Sequence, residues 1–189
     1  GPLKLQRRAR ETHEKADALS NPQRDLVYLS AYALAVAEEN ADGGTVVTAP
    51  SCGAAGVVPS VLYYYETIQK VPREKILQAL ATAGLFGSVI RANASISGAE
   101  VGCQGEIGSA CSMAAAAASQ ILGGSLRQIE YAAEVAMEHN LGLTCDPVEG
   151  YVQIPCIERN MTASLRAFES GSFSLLTDGH HLVSFDDAV

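Results

Sequence analysis

Residues 106–122 read EIGSACSMAAAAASQIL. After Glu106 the stretch carries no charge, and Ala114 to Ala118 are five consecutive alanines. Alanine is the strongest helix former, and a helix that is apolar all round belongs inside a protein or a membrane. This run is shorter than the ~20 residues a membrane span needs. Ser109, Ser112, Ser119 and Gln120 also interrupt it. It therefore predicts a buried helix in a globular core, ended by Gly123 and Gly124.

Working outward, the flanking sequence also reads as helices. LVYLSAYALAVAEE, residues 26–39, predicts a largely buried helix stopped by NADGG at 40–44. Residues 45–48 are β-branched and short, an extended piece. Pro50-Ser51-Cys52-Gly53 is a turn feeding a helix over 54–69, and Pro72 precedes another over 73–91. Residues 93–105 form a Gly- and Ser-rich loop before the alanine helix. Ser125 and Gln128 have the spacing of a capping box, which starts a helix running to about Asn140. Residues 141–155 are irregular, a last helix follows Cys156 and ends near Gly171, and the remainder is loop-like. The turn Ser20-Asn21-Pro22 signals a helix start. The fold class expected is all-α: six or seven helices in a single compact helical domain over residues 1–189, with Gly-rich loops carrying the chemistry.

Composition bounds the function. A chain of 189 residues with 48% apolar residues suits one domain with a sizeable core. Tryptophan is absent and glycine numbers 17, so close packing rests on small residues. A net charge of −8 argues against nucleic acid or an anionic membrane as partner. The one dense basic run, KLQRRAR at 4–10, reads as a solvated helix face or a crossing segment. No charged-then-apolar leader is visible. Five cysteines, an odd number, argue against a disulfide framework and for reduced thiols in a cytoplasmic protein.

Three cysteines fall in helix breaks: Cys103, Cys145 and Cys156. Cys103 and Cys156 flank helix N-termini, where the dipole and free N–H groups favour a thiolate. Cys111 falls inside the alanine helix and reads as core. Cys52 lies in a turn. There is no close Cys-x-x-Cys pair of the kind structural zinc uses. Three thiolates from separated loops would leave one metal corner open. On the residues alone, a metal centre and an inert set of buried thiols both remain open. The four lysines, Lys4, Lys15, Lys70 and Lys75, avoid the glycine-rich loops, so a Schiff-base mechanism has no evident lysine.

From Asn93 onward longer motifs appear: NASISGAEVGCQGE at 93–106, MEHNLGLTCDP at 137–147 and QIPCIERN at 153–160. These, with Glu38-Glu39-Asn40 and Thr48-Ala49-Pro50, resemble the iron–sulfur L-serine dehydratases over about residues 26–186. The resemblance implies that Cys103, Cys145 and Cys156 ligate an oxygen-sensitive 4Fe–4S cluster. It implies a lyase that converts L-serine to pyruvate and ammonia without pyridoxal phosphate. It further implies a homodimer, and a regulatory domain or subunit outside this chain, which is then expected to be a fragment. The chain departs from the family at Ser51-Cys52, where Thr-Asn is usual.

Candidate polar roles come from the same loops. Ser95, Ser97 and the backbone of Gly98 would hold the substrate carboxylate, with Ser51 and Asn93 as further substrate contacts. Glu100 or Glu106 would pair with the ammonium. His139, at a helix end, would be a base or a supporting donor, and Arg159 a bidentate carboxylate anchor. Two alternatives stand beside this reading: an isolated helical domain with empty thiols, and a related lyase acting on L-cysteine or L-threonine.

Overall fold

A helix apolar on every side has to be surrounded, and the helix Cys103–Ile121 is. The computed structural model describes residues 4–20, 23–151 and 153–189; Asn21 and Pro22 of the expected turn lie outside them. In chain order the helices are α1 (Ala9–Ala16), α2 (Gln23–Ala41), α3 (Val57–Thr67), α4 (Arg73–Asn93) and the single turn α5 (Gly98–Val101). There follow α6 (Cys103–Ile121), α7 (Leu126–Glu138), α8 (Gln153–Ser174) and the single turn α9 (Phe185–Ala188). A 3-10 turn, Cys52–Ala54, precedes α3. Among the described residues the one β feature is an isolated bridge, Val148 to Tyr151. The protein is all-α, as expected; residues 45–48 pair with no strand.

α6 runs through the middle. α3, α4, α7 and α8 pack around it, and α2 and α1 form an outer layer on α8 and each other. Every residue from Ile107 to Ser119 is buried. Small side chains let the neighbours come close. A Cβ on Gly171 of α8 would lie 2.7 Å from the Ala118 Cβ, and one on Gly87 of α4 would lie 2.8 Å from the Met113 sulfur. The buried hydroxyls of α6 are paired, as burial demands. Ser112 donates to the Ala133 carbonyl at 2.7 Å, and Ser119 meets Ser174 at 3.1 Å.

Charged residues tie down the periphery. Glu38, buried on α2, accepts the N–H groups of Arg8 and Ala9 at 2.8 and 3.2 Å and so caps α1. The basic run at 4–10 is a crossing segment that turns into α1. Its Arg7 pairs with Glu39 and Asp42, and its Arg8 with Glu158. The Ser125–Gln128 capping box forms at α7. The C-terminal segment, loop-like in expectation, ends in α9 and is pinned to α7. His181 stacks on Tyr131 at 4.3 Å and meets Glu130 at 2.7 Å, and Glu130 also accepts the Phe185 N–H.

Because α6 and α8 touch through Gly171, Gly171→Ala should overpack the core and cost about 1–3 kcal/mol. Chemical denaturation reads this; an unchanged midpoint would show that the helices have room to part.

Candidate functional site

The site begins with a glycine. Gly102 adopts φ +75° and is the residue before α6. Its N–H closes α5 onto the Gly98 carbonyl at 3.0 Å. A Cβ there would also sit 2.8 Å from the Leu143 carbonyl oxygen, so both conformation and space call for glycine. The chain then enters α6 at Cys103, three residues before the expected start at Glu106, and the expected loop over 93–105 is shortened by α5. The Gln104 N–H donates to the Leu143 carbonyl at 2.9 Å and its side chain accepts from the Gly142 N–H at 2.8 Å. Those two bonds fasten the Cys145 loop to the start of α6.

α8 supplies the third segment. It starts at Gln153, so Cys156 lies within the first turn and not ahead of the helix. The Cys103 and Cys156 sulfurs and a Glu106 carboxylate oxygen all lie within 4.8 Å of one another. Cys145 lines the same cavity, of about 430 Å³, together with Cys52, Gly53, Gly98, Glu106 and Cys156. The five cysteines thus separate. Four gather at one end of α6, with Cys52 exposed at the edge. Cys111 is buried in the core, its thiol pushed up to about 12 by desolvation.

The electrostatics favour a thiolate at Cys103. The Cys156 thiol donates to it, and the Arg159 guanidinium donates to its sulfur at 2.8 Å. Against burial, these hold Cys103 down to about 6. Cys156 is pushed up because it donates the shared proton and is buried. The Cys145 thiol is raised by burial and by the negative charge at Cys103. Arg159 also donates to the Thr144 carbonyl at 2.7 Å, so its Nη1 bridges the Cys103 and Cys145 segments.

Glu106, one of the two expected ammonium partners, and Asn160, which was not among the expected site residues, organise it. Glu106 accepts a hydrogen bond from Ser51, and it reaches between two glycines. A Cβ on Gly53 or Gly98 would fall 2.6 or 2.7 Å from its carboxylate oxygens. Glu106 therefore faces the cavity instead of only capping α6. Asn160, buried one turn after Cys156, accepts the Gly56 N–H at 2.9 Å. It donates to the Gly53 and Cys156 carbonyls at 2.6 and 2.7 Å. The turn bearing Ser51 and Cys52 is locked to α8 by this one side chain. Its spacing of four from Cys156 was the available signal, since such positions share a helix face.

The other candidates are distributed differently. Gly98 lines the cavity. Ser95 donates to Glu100 and accepts the Ser97 N–H at 3.1 Å, a local turn. Glu100 lines an adjoining cavity of about 420 Å³ shared with Gly98 and Cys145. Asn93 is the exposed last residue of α4. His139 caps the end of α7, its Nδ1 2.7 Å from the Val135 carbonyl. It lines a separate cavity between α7, α8 and residues 181–183. The geometry gives it no contact with the cysteines.

The donor set suits a soft metal centre: two sulfurs and a carboxylate within one coordination span, a third sulfur on the same cavity, and an arginine stabilising thiolate charge. The sequence that builds it matches a known family. The family model for the serine dehydratase alpha chain matches residues 1–189. An L-serine dehydratase of Streptomyces coelicolor is 52% identical over 191 residues, covering all of this chain and 42% of that protein. L-serine dehydratase of Haemophilus influenzae is 52% identical and L-serine dehydratase 1 of Escherichia coli 51% identical, each over 194 residues, all of this chain and 43% of each protein. The chain belongs to the serine dehydratase alpha-chain family. It spans about two fifths of the length of the curated relatives it matches.

Arg159 lowers the Cys103 thiol, so Arg159→Leu should raise it toward the ordinary thiol range in metal-free protein. Thiolate ultraviolet absorbance against pH, with Cys103→Ser as the reference, measures this; an unmoved titration would remove Arg159 from the account.

Proposed function

We propose that this chain is the metal-binding catalytic region of an L-serine dehydratase, a lyase forming pyruvate and ammonia. We further propose that Cys103, Cys145 and Cys156 hold a 4Fe–4S cluster. The observation that carries this reading is the meeting of the Cys103, Cys145 and Cys156 segments at one cavity with Glu106 inside it. The relatives' names support the substrate. Held by these three thiolates, such a cluster would supply Lewis acidity for loss of the substrate's Cβ hydroxyl.

The chain's own residues would hold and orient the substrate. Dehydrating serine moves the Cα proton to a base and releases the Cβ hydroxyl as water, and the aminoacrylate left behind tautomerises and is hydrolysed to pyruvate and ammonia, so both charged ends of the substrate must be held. Glu106 is the sole carboxylate among the residues lining the cavity and pairs with the substrate ammonium. Ser51, donating to Glu106, fixes which way the carboxylate turns. The backbone at Gly98, beside Glu106 and open to the cavity, receives the substrate carboxylate, with Ser97 at the same turn. Arg159 keeps the Cys103 sulfur anionic for ligation, and this replaces the carboxylate anchor expected of it. Ser95 and Glu100 brace the turn from below.

The same reading extends to the assembly. The greater length of the relatives supports a regulatory part in addition to this region, and the protein is taken to act as a homodimer. Reduced thiol ligands suit the cytoplasm, and no described helix is long and apolar enough to cross a membrane.

The test is anaerobic purification followed by iron and sulfide analysis and pyruvate release from L-serine, L-threonine and L-cysteine. L-serine should be the best substrate. Cys145→Ala should lose both iron and turnover. Glu106→Gln should keep its iron and lose at least about 10²-fold in kcat/KM, a typical size for a lost charged contact at a reacting centre. Full turnover by metal-free protein, or by Cys145→Ala, would overturn the proposal.

A further inference from the structure

The outer face of α4 is anomalous. Between Lys75 and Arg91 no residue is charged, although α4 lies on the surface and packs inward on α6, on α3 and, through Phe86, on Phe185 of α9. Leu77, Leu80 and Leu85 are 56%, 47% and 63% exposed. Ala81, Gly84 and Ser88 are exposed between them, and a Cβ on Gly84 would meet nothing within 4 Å. Residues 74, 77, 81, 84, 88 and 91 recur at alternating spacings of three and four, which is the seam of a helix that packs against another helix. Small residues at the middle of such a seam let two helices approach to the near end of the usual ~8–10 Å.

The ends of the seam say what covers it. Glu74 stands at one end and Arg91 at the other, and among the described residues neither has an ion-pair partner in its own chain. Arg73, alongside, is turned to Glu66 of α3. A stripe with an acid at one end, a base at the other and only uncharged residues between is its own complement when reversed. We propose that this face of α4 docks on the same face of a second copy of the chain, antiparallel about a two-fold axis that passes between Ala81 and Gly84. Glu74 of each copy then lies across from Arg91 of the other, and Leu77 packs beside Ser88. This names the surface for the homodimer proposed above, and none of its residues belongs to the cysteine site.

Glu74 and Arg91 also suit the dipole of their own helix, acid in the first turn and base in the last. A charge exchange separates the two roles. In sedimentation of the full-length protein, Glu74→Arg and Arg91→Glu should each weaken the dimer about tenfold, because two pairs per dimer become repulsive. The combined variant should recover to within about threefold of the original. If the charges serve only the dipole, the combined variant is the least stable by thermal melting and the dimer does not respond. Leu77→Glu, at an exposed position, should leave a folded monomer. A monomeric parent protein, or a dimer indifferent to all four variants, overturns the proposal. Serine turnover measured in the same preparations reports on the lyase reading independently.

Discussion

The contact between the Arg159 guanidinium and the Cys103 sulfur sits where three distant pieces of chain meet, and it can form only because α6 is buried on every side. A helix with a solvent face would carry its first residue to the surface, and a thiol there would be hydrated and unpaired. Here the alanine run draws α3, α4, α7 and α8 around α6. The N-terminal end of α6 then opens into a cavity inside the protein, with Cys103 at the first helical position and Glu106 in the first turn. Arg159 comes from α8 and also holds the Thr144 carbonyl. The thiolate charge, the helix end and the third loop are therefore linked through one side chain.

The same packing explains how the cavity walls are kept in place. Asn160 satisfies a backbone N–H and two carbonyls at once, so the turn bearing Ser51 and Cys52 cannot drift from the helix bearing Cys156. Gln104 does the equivalent for the loop leading to Cys145. Both are amides, able to donate and accept together, and both lie next to a cysteine in sequence or on the same helix face. The walls are held by uncharged hydrogen bonds, which leaves Glu106 as the one carboxylate facing inward, beside the thiols of Cys52, Cys145 and Cys156.

Much of this was legible in the sequence. The alanine run gave the buried central helix, and the Ser125–Gln128 pair gave the start of α7. Cys111 was separable from the loop cysteines because it falls mid-helix. Helix starts were less legible: α6 begins three residues and α8 four residues before expectation. Gly102 supplies a left-handed turn that allows helix to begin at once, and Pro155 falls within the first turn of α8, where its missing N–H is tolerated. The polar candidates were harder still. Local spacing suggested that Ser95, Ser97 and Glu100 act on a ligand, yet two of them bond to each other. Glu106 and Asn160 act across 55 to 107 residues of chain, and no local pattern reports a contact of that range. His139 ends its helix as read, but the direction in which α7 points takes it to another cavity.

The central claim is that thiols far apart in sequence bind one metal centre at the end of α6. Mass-spectrometric mapping of thiol alkylation, before and after anaerobic loading with iron and sulfide, tests it directly. Loading should block Cys145 from alkylation, and after unfolding in the presence of bound metal Cys103 and Cys156 should be the last thiols released, while Cys52 stays reactive throughout. A loaded protein in which Cys145 reacts as readily as Cys52 would contradict the account.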